Sequence, residues 1–219
     1  MRVLMIRHGQ TPSNVQGLLD AGSPGPGLTR LGERQAAAIP GAVARREFGA
    51  IAVSTLTRTS LTARPLSRER GLEPVVLEGL REIEAGDLEM SSDPMDHQEY
   101  LSTAFAWAGG DLRRHLPGAS DGRAFLDRFD AAMSQVASLG LESVALFSHG
   151  AALRTWTAAR VHGVDVEEME RVPLANTGSF DVEGDPDSGW RLVSWSADPL
   201  GGARLAAVAA EDPTGESMD

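Results

Sequence analysis

The chain has 219 residues, 42% hydrophobic content and a formal net charge of -11; that size suits one domain with a substantial core, and the acidity argues against nucleic acid or an anionic membrane as a non-specific partner. All 20 basic side chains are arginine, which excludes a P-loop lysine, a Schiff-base enzyme and a pyridoxal-phosphate enzyme. With no cysteine there is no thiolate nucleophile, no disulfide framework and no Cys-based zinc site. The N-terminal apolar run is too short for a signal peptide and no stretch approaches membrane-spanning length, so the expectation is a cytoplasmic protein with no membrane contact.

Arg2-Val3-Leu4-Met5-Ile6 reads as a buried strand that empties into Arg7-His8-Gly9-Gln10-Thr11-Pro12. Ligands of open α/β sheets bind beyond the carboxyl ends of strands, which places Arg7 and His8 at such a rim. Gly9 permits a close backbone approach, and Pro12 is expected to keep the loop from turning helical at once. A guanidinium fork beside a neutral imidazole suits phosphoryl transfer, although the tripeptide alone reads equally well as an ordinary loop pair. Residues 13–27 form a Gly/Pro/Asp-rich loop containing Asn14 and Asp20. Thr29 caps a helix that continues to Phe48, kinked or divided at Pro40-Gly41. Ile51-Ala52-Val53 is the next strand, and a helix over 58–71 starts just beyond it, with Arg58 in its first, anion-favouring turn.

Pro74-Val75-Val76-Leu77 reads as a third strand leading to Leu80-Arg81-Glu82. Residues 87–120 carry little pattern beyond a helix over 94–107 and read as an insertion that walls or caps a site. Residues 121–139 form an amphipathic helix with Phe125, Phe129, Met133 and Val136 on its core face. Val144-Ala145-Leu146-Phe147 is a strand ending in Ser148-His149-Gly150, with a helix over 151–161 behind it. Two strands, 177–182 and 190–196, pair as a hairpin, and residues 199–219 are expected to form a short helix near 203–210 and a disordered tail. His97, His115 and His162 match no motif.

Four segments together resemble the histidine phosphatase superfamily, or phosphoglycerate mutase-like family: Arg7-His8-Gly9-Gln10-Thr11-Pro12-Ser13-Asn14, Ser54-Thr55-Leu56-Thr57-Arg58-Thr59-Ser60-Leu61-Thr62-Ala63, Leu80-Arg81-Glu82 and Ser148-His149-Gly150. They stand in the family's order, with Leu28 to Ala36 as a supporting match. Gly150 after His149, where the acid-phosphatase branch has Asp, points to the mutase-like branch. The resemblance implies a three-layer α/β fold, a mostly parallel central sheet with helices on both faces, over residues 1–198 as a single domain. It implies that His8 is the nucleophile and becomes a phosphohistidine, that Arg7, Arg58, His149 and Asn14 bind phosphate, and that Glu82 is the general acid and base. No metal and no cofactor are expected. Burial, and the charge of Glu84 if close, would raise the Glu82 pKa.

The segment Gly86-Asp87-Leu88-Glu89-Met90 departs from the Trp-Glu-Gly common in the family, and the long basic, proline-rich insertion of genuine phosphoglycerate mutases is missing. The reading is therefore a phosphatase acting on a small-molecule phosphomonoester. A phosphoglycerate mutase-type isomerase and a non-catalytic phosphate-dependent module are the alternatives, and a phosphohistidine phosphatase is a narrower one. Neither the natural substrate nor the oligomeric state, a homodimer being allowed, follows from sequence.

Overall fold

The structure is a computed structural model that describes residues 1–207 and 213–215. Its centre is β1 (Arg2–Arg7), which pairs in parallel with β4 (Ser143–Ser148) on one side and antiparallel with β6 (Ser179–Asp185) on the other. Beyond β4 lie β2 (Ala50–Val53) and β3 (Val75–Val76), both parallel; beyond β6 lie β7 (Gly189–Ser196), antiparallel to it, and β5 (Val161–His162). The sheet is mixed, with a parallel half that carries the motifs and a hairpin half that extends it.

Alternation along the central strands builds the three layers, because successive side chains leave a strand on opposite faces. Val3 and Met5 of β1, with Val144 and Leu146 of β4, join a core under α4 (Pro94–Ala108), α5 (Gly122–Ser138) and α6 (Gly150–Arg160). Leu4, Ile6, Ile51, Val53, Ala145 and Phe147 join a second core under α2 (Arg30–Ala42) and α3 (Thr57–Arg70). Each fully buried Val, Leu, Ile, Met or Phe side chain among them contributes about 1.5–3 kcal/mol. Phe125, Phe129, Met133 and Val136 are all buried on α5, and Phe129 stacks on Trp156 at 5.3 Å. Residues 87–120 are not separate from this core: Tyr100, Leu101, Ala104, Phe105 and Trp107 of α4 lie within it.

Several expectations are corrected. Pro12 does not delay helix formation; it is the first residue of the short helix α1 (Pro12–Val15), capped by Thr11, at the one position where a missing N–H costs nothing. The helix begun at Thr29 ends at Ala42 and not at Phe48: Pro40 falls in its last turn and cannot donate back to Ala36. The third strand shrinks to two exposed residues, Val75 and Val76. β5 and α7 (Val166–Arg171) were not foreseen. Near the C-terminus, Ala203–Leu205 form a single 3₁₀ turn, and the rest of the expected helix, at 208–210, lies outside the described residues. Pro213 to Gly215 do not behave as a tail, since Thr214 is buried and Gly215 O accepts from Leu174 N at 2.8 Å.

The topology sets one edge apart. β1, β2 and β4 all end there, at Arg7, Val53 and Ser148, and β6 begins there, Ser179 facing Ile6.

Candidate active site

His8 follows β1 directly and is 3% exposed. Its backbone N–H donates to Ser148 O at 3.0 Å, and its carbonyl accepts from Thr177 N at 3.3 Å and Asn176 Nδ2 at 3.2 Å. Its Nδ1 lies 2.9 Å from Gly9 O. A carbonyl only accepts, so Nδ1 carries the proton and Nε2 keeps its lone pair. Burial, then the charges of Arg58 and Arg7, hold the imidazole well below its ordinary pKa; it is neutral near pH 7. Gly9 is required by close approach: a Cβ there would stand 2.8 Å from Gly32 O in the first turn of α2, and one on Gly32 would strike Gln10 O.

The end of β2 supplies the second cluster. Arg58 in the first turn of α3 is 2% exposed and donates through Nε to His149 Nδ1 at 3.1 Å. Because a guanidinium can only donate, His149 accepts at Nδ1 and carries its proton on Nε2, which lies 2.8 Å from Ser54 Oγ. Burial first, then Arg58 and His8, keep His149 neutral as well; the two imidazole centroids are 5.3 Å apart. Arg58 Nη2 donates to Asp20 O at 3.0 Å, whereas Nη1 has no hydrogen-bond partner among the described residues and only Asp20 Oδ1 at 3.9 Å. Gly25, at φ +69°, lays the loop over this guanidinium.

Glu82 comes from the turn after β3, is 3% exposed, and points at the N-terminus of α6. Its Oε1 accepts from Ile83 N at 2.9 Å and Ala152 N at 2.8 Å, and Oε2 accepts from Ala151 N at 3.2 Å. Burial raises its pKa above the usual carboxylate value, against the pull of those N–H groups and of Arg58 and Arg7. Glu84 takes no part in this: it accepts from Ser120 Oγ at 2.7 Å, which with other contacts lowers its own pKa.

Arg7, fully buried, donates from Nη1 to Leu174 O at 2.6 Å and from Nη2 to Thr214 Oγ1 at 2.9 Å. Asn14 closes a reciprocal cap with Thr11, each side chain meeting the other's backbone N–H at 2.9 and 3.2 Å, and its Oδ1 also accepts from Asn176 Nδ2 at 3.3 Å. A narrow cleft is lined by His8, Asn14, Arg58 and Glu82 together with Thr11, Ser13, Leu18, Asp20 and Thr214. All six residues singled out in the sequence therefore gather at one sheet edge. Asn176, Thr214, Ser54 and Asp20 are additions with no assigned role in the sequence; Asp20 alone was visible as loop polar content. Among the described residues no group of three or more His, Asp or Glu is placed to hold a metal.

The family model for the histidine phosphatase superfamily (branch 1) matches residues 3–198. The chain is 37% identical over 216 residues to the PE-PGRS family protein PE_PGRS11 of Mycobacterium tuberculosis, a match to 91% of this chain that spans 37% of that protein's length. It is 31% identical over 173 residues to the adenosylcobalamin/alpha-ribazole phosphatase of Escherichia coli, covering 77% of this chain and 83% of that one. The solved structure of mycobacterial glucosyl-3-phosphoglycerate phosphatase with VO3 shares the fold, with a TM-score of 0.74 over 90% of this chain and 99% of that chain at 24% identity.

The chain belongs to the histidine phosphatase superfamily, on its mutase-like branch. It is an enzyme, a phosphomonoester hydrolase of the histidine phosphatase type.

Proposed function

We propose that the chain hydrolyses a small phosphomonoester through a phosphohistidine formed on His8 Nε2. The observation that supports this most is the protonation pattern: an imidazole kept neutral with Nε2 unprotonated, in one cleft with Arg58 and a buried carboxyl whose pKa is raised. His8 Nε2 attacks phosphorus as the bond from phosphorus to the ester oxygen breaks, and the departing alkoxide takes the Glu82 proton. Glu82, now a carboxylate, removes a proton from water whose oxygen attacks phosphorus; the N–P bond breaks, phosphate leaves and His8 regains its lone pair. Arg7 and Arg58 stabilise charge on the equatorial oxygens, with His149, held between Arg58 and Ser54, and Asn14 as further polar contacts. No metal or cofactor enters either step.

The mutase reading needs a pocket for a second anionic group. Among the described residues, the ionisable side chains lining the cleft beyond Arg58 and His8 are the acids Asp20 and Glu82, and Asp20 would repel a substrate carboxylate. We also assign residues 1–198 to one domain, with Glu89 to Ser91 of the 87–120 segment bracing the loop that carries Asp20: Glu89 Oε1 accepts from Ala21 N and Gly22 N, and Met90 and Ser91 pair with Leu19.

The test is hydrolysis of a panel of phosphomonoesters, 3-phosphoglycerate included, by wild type and His8→Ala with a chelator present, with acid-labile, base-stable label on the enzyme followed in parallel. Turnover and label in the wild type, both lost in His8→Ala, are expected. Isomerisation of phosphoglycerates without hydrolysis would replace this reading with the mutase, and phosphate binding without either activity would leave a binding module.

A further inference from the structure

The backbone that presents Glu82 is held at every carbonyl from Gly79 to Ile83. Leu80 O accepts from Ser148 Oγ at 2.8 Å, and Ile83 O from the Tyr100 hydroxyl at 2.9 Å. The other three converge on one side chain of α5: Arg128 donates through Nη1 to Gly79 O at 2.7 Å and Arg81 O at 2.9 Å, and through Nη2 to Glu82 O at 2.6 Å. The guanidinium rests over the Phe125 ring at 5.1 Å, and Gly79 lies so flat on α5 that a Cβ there would stand 2.3 Å from Arg128 O. Burial and the neighbouring Arg81 lower the Arg128 pKa to about 10, which leaves it charged at neutral pH. Arg128 does not line the substrate cleft; it borders a separate cavity with Arg81, Glu84, Trp107 and Ser120.

We propose that Arg128 is a positioning residue for the reaction: by clamping three carbonyls around Glu82 it fixes where the acid's carboxyl stands in the cleft. A carbonyl satisfied by water would support the fold as well, but three bonds from one planar, rigid group define the path of the turn. Misplacement of a reacting group by about 1 Å costs on the order of 10²-fold in rate. This proposal rests on the reading of Glu82 as the proton donor.

The test separates the two. For Glu82→Gln, Arg128→Lys and Arg128→Met, kcat/KM is measured on an alkyl phosphate, whose alkoxide needs a proton, and on 2,4-dinitrophenyl phosphate, whose leaving group does not. Inhibition by inorganic phosphate is measured alongside. Both Arg128 variants are expected to lose about 10- to 100-fold on the alkyl ester and under about 3-fold on the dinitrophenyl ester, with phosphate inhibition unchanged within about 3-fold. Lysine keeps the charge and most of the stem, so it gives the answer if Arg128→Met does not fold. If Glu82→Gln separates the two esters and Arg128→Lys does not, or if Arg128→Lys lowers both esters and phosphate binding together, the positioning role is overturned. If Glu82→Gln itself leaves the two esters equal, the acid assignment beneath it fails.

Discussion

Burial moves His8 and Glu82 in opposite directions for one reason: it disfavours the charged form of each. Both are neutral together over a window bounded below by the depressed His8 pKa and above by the raised Glu82 pKa, and attack with proton donation needs that pair of states. On an alkyl ester kcat/KM is therefore expected to fall as pH drops through the His8 value, well under 6.5, and to fall again as pH rises through the Glu82 value. On 2,4-dinitrophenyl phosphate the alkaline fall should vanish; its persistence would assign that limb to another group. His149 gives a second expectation. Its tautomer is set by Arg58 on one nitrogen and Ser54 on the other, so Ser54→Ala should lower kcat/KM by about 3- to 10-fold on both esters, the worth of one buried hydrogen bond. At this scale the sequence disclosed the groups standing at strand ends within motifs, His8, Arg58 and His149 among them. Arg128 and Asn176 were hidden because they work on backbone carbonyls, which no residue pattern announces, and Thr214 because it reaches the site from the far end of the chain.

Among the elements, β6 is held by its ladders with β1 and β7 and, through one carboxylate, to the loop after α2 as well. Asp181, 3% exposed, accepts from Arg2 Nε and Nη2 on β1 and from Arg46 Nη1 and Nη2 in the loop after α2, at 2.6–3.1 Å. Burial pushes its pKa up, yet the bonds and charges of the two arginines prevail and hold it below the ordinary value. The stability it contributes is thus present above the unfolded aspartate pKa near 3.9 and is lost as pH falls through the lower folded value. Both arginines are partly exposed and can be rehydrated, so Asp181→Asn is expected to cost about 1–3 kcal/mol at pH 7, read from urea unfolding, with a smaller difference at pH 3. Equal stability of the two proteins at pH 7 would show the cluster to be neutral. Long periodic elements such as α5 were legible because their spacing matches a helix. β3 and β5, two residues each, and α7, six residues, carry too few positions to show a period, and tertiary pairing decides them.

For the molecule as a whole, the acidic surface leaves local arginines to attract an anion. Arg7 and Arg58 are buried at the sheet edge, where salt screens them less than it screens exposed charges. Inhibition by inorganic phosphate should accordingly change little between low and physiological salt at fixed pH; a steep loss would mean that exposed charge dominates capture. The three-layer fold was implied by the family resemblance that the four segments carry, and the alternation of strand and helix patterns along the parallel half agrees with it. The hairpin's place beside β1 was not, since strand order beyond the parallel half has no local signature.

The placement of β1 also fixes an order of events. Arg2 pairs with Ser143 and with Glu183, so the strand bearing Arg7 and leading into His8 is the earliest of those seven to leave a ribosome and finds both neighbours only after most of the described chain has followed. Closing loops of that length is slow compared with forming local helices. Completion of the candidate site's edge is therefore expected late in folding, and during refolding from urea recovered activity should follow the slowest main phase, trailing the return of helical circular dichroism.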